Sequence, residues 1–559
     1  MDVIVKGKGK VSLTKRNFVQ AGGQGKVFAR GKIAYKIYDD PKTGMIPFAK
    51  IQELSVITHP AIIRPQKLLQ DNAGNAIGYT MDYVKDAYPL CKLFTKTFKL
   101  RHDIKPRIVL DITQKIQDGV SHVHNCKILI VDLNELNFLV DKNFQNVFFI
   151  DVDSYQTHSF PATFIMPSIR DHHTKLFTEL TDWFSFAVVT FQMWMGIHPY
   201  KGKHKSVKDL DARMEKNLSV FNTDVSIPSI CPPIDIIPLG YRNWYKAVLE
   251  EGKRLLPPGG PQAIITVISA PKIITGSNNF NFIQIVEYDS DILSHQWING
   301  TRILLREDCS HVGTRHCPKF SADSSVGMTP ISGRVVIGNI KNRMIFINDL
   351  LYHSQIGSGF SAESAMTCDG RIYFKHGDLF NEVVFVETPN KIDVTYKQVA
   401  NVMERATNVF DGVVIQDLLG AWYASVFPKS GEHRQIHLKD LKGKKIVDAK
   451  YDNLVLMVIV SEKGQYDKYI FRIANDYNSY DMRVISDLQY NGLNFIVLDN
   501  GICIHIVSDG NLEMFHNKSN NTEMKLFEDS SISTDMVLVK EGIKAMFIRG
   551  NKLYRITIK

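Results

Sequence analysis

A chain of 559 residues, 44% hydrophobic and 22% charged, has an ordinary globular composition, with length for roughly two to four domains that each bury a core. The balance of 67 basic against 58 acidic residues permits acidic partners but does not indicate nucleic acid, because no Lys/Arg block with interleaved aromatics occurs. No apolar stretch approaches the ~20 residues of a membrane helix, and seven scattered cysteines fit reduced thiols; a cytoplasmic protein with no membrane partner is expected.

Residues 1–90 read as a small β-rich lobe. Within Phe18–Phe28, the glycines Gly22, Gly23 and Gly25 separate strand-like runs, and a hairpin free of side chains can approach phosphates closely. Ile33-Ala34-Tyr35-Lys36 follows as a strand carrying a lysine. Phe48–Ile57 has helical periodicity, carries Glu53 and is stopped by His59-Pro60. Ile77–Val84 is another strand, holding Met81 and Asp82.

From residue 91 the pattern turns helical. Ile108, Ile112, Ile116, Val120 and Val123 recur near the i, i+4 spacing of one buried face. That helix leads into two carboxylate-bearing loops. Asp132-Leu133-Asn134-Glu135-Leu136-Asn137 follows the apolar run Ile128–Val131, and Asp151-Val152-Asp153 follows Val147–Ile150. Short apolar runs bounded by polar turns read as buried strands. Joined through Asp141-Lys142-Asn143, they form a hairpin whose polar ends converge. A single aspartate after a strand commonly caps a turn; two in this order favour a site. Further on, Leu180–Met195 is an almost wholly apolar helix ended by Gly196, with Asp182 placed to accept backbone N–H groups. Pro257-Pro258-Gly259-Gly260-Pro261, within 257–262, is a linker.

Over 263–559 strand-length runs recur between turn signals. Val497–Ile504 and Val539–Met546 are similar phrases about 42 residues apart, a period that suits a propeller blade. The length predicts an all-β domain, a β-propeller of six or seven blades rather than stacked sandwiches. Cys309, His311, His316 and Cys317 carry metal-binding chemistry, but their spacing is not a usual zinc pattern.

The motifs over residues 15–260 resemble those of the protein kinase superfamily, closest to bacterial and phage serine/threonine kinase-like proteins with an Asp-Val-Asp-Ser metal loop. The resemblance implies a bilobal α+β kinase-like fold, with N-lobe 1–90 and C-lobe 91–256, ahead of the all-β domain 263–559. It implies ATP and Mg²⁺, with Mn²⁺ as an alternative metal. Gly22, Gly23, Gly25, Val27, Ala34 and Lys36 would surround the nucleotide, with Met81 as gatekeeper and Asp82 to Val84 meeting the adenine. Glu53 would pair with Lys36, Asp132 would be the base, and Asn137, Asp151 and Asp153 would face the metal. The propeller would take a protein substrate or adaptor. By resemblance alone, a metal-dependent Ser/Thr phosphatase or a von Willebrand A-type protein would be a partner.

Several positions depart from the family pattern. Ile130-Val131 stands where the family has His-Arg, so a phosphorylated activation segment lacks its basic pocket. Asn134 replaces a lysine, Asp153 a glycine and Gln20 the first loop glycine; Met166-Pro167-Ser168 lies about where an Ala-Pro-Glu box belongs. The leading expectation is a protein serine/threonine kinase. The alternatives are a pseudokinase scaffold and a small-molecule phosphotransferase, and the helix at 180–195 with its Gly196-Ile197-His198-Pro199-Tyr200 sequel argues against the latter.

Overall fold

The computed structural model describes residues 1–559 except 23, 260–278, 390, 463 and 519–523. Gly23, the end of the 257–262 linker and the first residues of the 263–559 region therefore lie outside the described residues. Among those described, the chain is mostly strand with few helices, and no helix is long and apolar enough to cross a membrane.

The N-terminal strands β1 (Asp2–Val5), β2 (Gly9–Ser12), β3 (Phe18–Ala21), β4 (Gly25–Arg30), β5 (Ile33–Tyr38), β6 (Lys67–Gln70) and β7 (Ala76–Asp82) form one sheet. Its order is β2-β1-β6-β7-β5-β4-β3, antiparallel throughout. Alternation along β5 sorts its side chains. Tyr35 and Ile37 pack with Val3, Val5, Phe18 and Phe28 on one face. Tyr38 packs with Tyr79, Ile51 and Leu68 on the other, and the period of two puts Lys36 on this second face. The expected helix over Phe48–Ile57 is shorter, running Phe48–Leu54.

A helical lobe follows. Its long helix Pro106–Asn125 buries Val109, Ile112, Ile116, Val120 and Val123. A second helix, Glu179–Met195, is apolar on every side because it is surrounded. Thr178 caps its start, and Gly196 ends it in the left-handed conformation. Between the two helices, strands Phe138–Asp141 and Val147–Phe149 pair in a hairpin.

From Phe280 onward, the described strands form seven four-stranded antiparallel sheets. Sheets I to VI span 292–317, 325–361, 364–401, 407–437, 445–485 and 495–527. Sheet VII combines 537–558 with Phe280–Glu287, so the first described strand of this region pairs with the last. Each adjacent pair of sheets shares one apolar cluster, I with II through to VI with VII. A further cluster joins Val539, Met546, Ile548 and Leu553 of sheet VII to Ile292 and Leu304 of sheet I.

Sheet V is fused to the helical lobe. Its Val447, Ile459 and Tyr466, with Leu488 just beyond it, belong to the same apolar core as the two long helices. Lys201 Nζ donates to Asp487 Oδ1 at 2.6 Å and to Leu488 O at 2.7 Å, and Tyr490 Oη accepts the Lys96 N–H at 2.9 Å.

Two buried histidines make the fold sensitive to acid. His198 donates to Ser168 O at 2.8 Å and accepts the Tyr200 N–H at 3.2 Å. His505 sits between Lys468 and Glu513. Burial pushes them down to about 3 and about 4 respectively. An unfolded histidine gains its proton near pH 6.5, so their contribution is present above that pH and is lost as pH falls toward 4. The melting temperature of the full chain is expected to fall steadily between pH 7 and pH 4.5; a flat profile there would contradict this.

Candidate active site

Lys36, on β5, is 115 residues from Asp151, yet its Nζ lies 2.9 Å from Asp151 Oδ1 and 2.8 Å from Asp153 Oδ2. Tyr38, two residues along the same strand, donates to Asp153 Oδ2 at 2.7 Å. Burial by itself would raise the Asp153 carboxyl, but the Lys36 charge and the bonds from Lys36 and Tyr38 outweigh it and hold the group at about 2. Lys36 is likewise held charged: burial opposes its charge, and the two carboxylates more than offset that. The Asp151 side chain remains open to solvent, with 46% exposure against 5% for Asp153.

Glu53 is not the partner of Lys36. Its Oε2 accepts the Ser159 N–H at 3.2 Å and so tethers the segment after the second loop. The reason lies in the second loop. An aspartate stands where the family pattern has glycine, and its carboxylate lies 2.8 Å from Lys36 Nζ. The helix buries Lys50, only 6% exposed, instead, and burial lowers its ammonium below the ordinary lysine value against the opposing pull of the Asp153 charge. Asp153, expected as a metal ligand, commits Oδ2 to Lys36 and Tyr38, while its buried Oδ1 makes no hydrogen bond among the described residues.

The first loop is held by Asp182. Its Oδ2 accepts the Ile130 N–H at 2.8 Å and meets His124 Nε2 at 2.9 Å, and its Oδ1 accepts the Val131 N–H at 2.8 Å. Val131 has φ 64°, a conformation β-branched residues rarely adopt. The strained residue directly precedes Asp132. Asp132 is 9% exposed; its Oδ1 accepts the Met166 N–H at 2.9 Å and its Oδ2 accepts Asn134 Nδ2 at 2.9 Å. Burial raises its carboxyl above the ordinary value, against the pull of these bonds. Asn137 donates through Nδ2 to Asp132 O at 2.9 Å and accepts the Ile150 N–H on its backbone oxygen, also at 2.9 Å. The hairpin thus sets Asn137 opposite Ile150, one residue from Asp151.

Several of the other nucleotide-site candidates lie on β5 and the strands paired with it. Val27 is the register partner of Lys36 on β4, Ala34 pairs with Met81, and Ile33 pairs with Asp82; Val84 follows β7, half-buried. Gly22 donates to Gly25 O at 2.8 Å. A β-carbon on Gly25 would lie 2.2 Å from Ile37 O, so close strand packing alone already requires glycine there.

A divalent cation fits the donor set. Asp151 offers an open carboxylate, and Asn137, whose amide nitrogen is engaged, keeps its side-chain oxygen for coordination. Away from the cleft, His311 and His316 face each other across paired strands with rings 5.4 Å apart. Among the described residues, no group of three or more His, Cys, Asp or Glu side chains is placed to hold a metal, and the Cys309–Cys317 stretch is no exception.

Sequence reading missed Tyr38, Lys50 and the bidentate pair in which Arg254 meets Asp171 at 2.6 Å through both Nε and Nη2. That pair joins the end of the 157–175 segment to the end of the helical lobe. Nothing in the local sequence of either residue marks it.

No family model matches the chain. It is 23% identical over 185 residues to a protein named "Putative serine/threonine-protein kinase" from Acanthamoeba polyphaga mimivirus, a match covering 31% of this chain and 67% of that one. It is also 23% identical over 187 residues to cAMP-dependent protein kinase type 3 of Saccharomyces cerevisiae, covering 32% of this chain and 42% of the yeast protein. The chain is thus distantly similar to serine/threonine protein kinases over about a third of its length.

Proposed function

We propose that the chain is a Mg-ATP-dependent protein serine/threonine kinase, and that its seven sheets are the blades of a β-propeller that engages the protein substrate or an adaptor. One observation carries the enzymatic reading: Lys36, from the N-terminal sheet, meets the Asp151 loop at 2.9 Å, and the same hairpin brings Asn137 next to it. For the propeller, the support is the succession of shared clusters from sheet I to sheet VII and back to sheet I, closed by pairing of the first and last strands.

Bound Mg-ATP would supply the transferable phosphoryl group and the charge that balances it. Lys36 would bind the α/β-phosphates, while Asp151 and Asn137 would hold the cation. Asp132 would orient the acceptor hydroxyl and take its proton; its raised carboxyl makes it a better base than a free aspartate. Its two observed bonds leave lone pairs to spare.

The test is transfer of labelled phosphate from ATP with Mg²⁺ by the full chain, beside Asp151→Ala. Incorporation is expected in the first and loss of at least ~100-fold in the second, the scale on which removing a charge-stabilising group lowers turnover. Equal incorporation in both refutes the reading. The pseudokinase alternative has its own support, since Lys36 is already neutralised by two carboxylates and Asn134 supplies no cation. It is favoured if ATP raises the melting temperature while no phosphate is transferred.

A further inference from the structure

The sheet V face that meets the helical lobe reaches the catalytic loop. Tyr466 Oη donates to Glu135, three residues after Asp132, and the two side chains are 4% and 2% exposed. On the same sheet, Lys445 Nζ lies 3.5 Å from Leu136 O, next to Asn137. Gly464 approaches from another side. At φ +80°, a β-carbon added there would stand 2.1 Å from Ser168 Oγ and 2.7 Å from both Met166 Cγ and Sδ. The Met166 N–H is the group that holds Asp132 Oδ1. One sheet therefore touches both the loop that carries Asp132 and the segment that fixes its carboxylate.

We propose that sheet V is a built-in part of the catalytic centre, with Tyr466 as a positioning residue for the 132–137 loop. The sheet does more than recruit a partner. Without the tyrosine hydroxyl, the buried Glu135 carboxylate loses its only charge-satisfying side-chain bond described, and a polar group buried without a partner drives its segment to move. The loop that would move carries both Asp132 and Asn137. Gly464 acts on the same centre by a separate route, since a larger residue would press on Met166 and Ser168.

This inference rests on the kinase reading, and its test separates the two. In the full chain, Tyr466→Phe is expected to lower kcat at least about tenfold, short of the ~100-fold that a 1 Å misplacement can cost. KM for ATP is expected to stay within about twofold, because Lys36 and Asp151 are untouched. Glu135→Gln combined with Tyr466→Phe should be no worse than the poorer single variant, the non-additivity of one shared contact. Gly464→Ala should reproduce the kcat loss through Met166. Amide hydrogen exchange should rise in 129–138 for Tyr466→Phe and in 164–168 for Gly464→Ala, with Glu179–Met195 unchanged in both. A variant that only melts earlier, with kcat per folded molecule and local exchange unchanged, overturns the proposal. If the wild-type chain transfers no phosphate, the kinase reading fails, and the exchange measurement alone decides whether Tyr466 positions the loop.

Discussion

Replacing Asp153 by alanine is expected to destabilise the chain by about 1.5–3 kcal/mol, the scale of losing a buried hydrogen bond to a charged group. Lys36, whose side chain is only 11% exposed, would lose one of its two carboxylates and keep Asp151. Tyr38 would lose its acceptor at the same time. On the proposed kinase reading, ATP affinity should also fall about tenfold, because Lys36 would be free to leave the position assigned to phosphate contact. Glu53→Ala should change stability by only about 0.5 kcal/mol, as a surface substitution does, since Glu53 holds one exposed backbone N–H and does not touch Lys36. Denaturant unfolding and titration calorimetry on the two variants measure the contrast. Were Glu53→Ala the more damaging change, the helix glutamate would be the true partner and the Asp153 anchor would be wrong.

Asp182→Ala is expected to be the most damaging single change in the helical lobe, at roughly 3 kcal/mol or more. A hydrogen bond to a charged group contributes about 1.5–3 kcal/mol, and this carboxylate accepts two backbone N–H bonds and meets His124. It is 1% exposed, so water cannot replace it. The loss reaches the proposed base directly. Val131 tolerates its φ of 64° only while its N–H is held, and Asp132 is the next residue. If the proposed kinase reading holds, phosphate transfer per folded molecule should therefore fall together with the denaturant midpoint. Asp182→Asn, which keeps one acceptor oxygen, should fall between wild type and alanine. Full activity in folded Asp182→Ala would show that the strained turn holds without it.

The motif residues were legible because each is locally patterned. Asp132 and Asp151 both follow apolar runs, but only the second run is a strand: Ile128–Val131 makes a single isolated bridge, Leu129 with Gln156, and the hairpin forms between Phe138–Asp141 and Val147–Phe149. The face of Pro106–Asn125 and the all-round apolarity of Glu179–Met195 were likewise written in periodicity. The partner of Lys36 was not. A helix glutamate and a loop aspartate are equally good counter-ions in sequence, and the choice depends on which carboxylate the fold carries within 3 Å. The same holds for Arg254 and Asp171, 83 residues apart with no local signal. Tyr466 was invisible for a further reason, because its meaning lies entirely in the contact between two units.

What the sequence determined by itself was local: where strands and helices run, which faces are apolar, and that four chemically apt residues stand in a telling order. Those properties follow from side-chain periodicity and backbone preference over a few residues. Only the tertiary structure decided which charges neutralise one another and that sheet V abuts the 132–137 loop. Electrostatic pairing and burial depend on distances between segments hundreds of residues apart, and such distances exist only once the chain has packed.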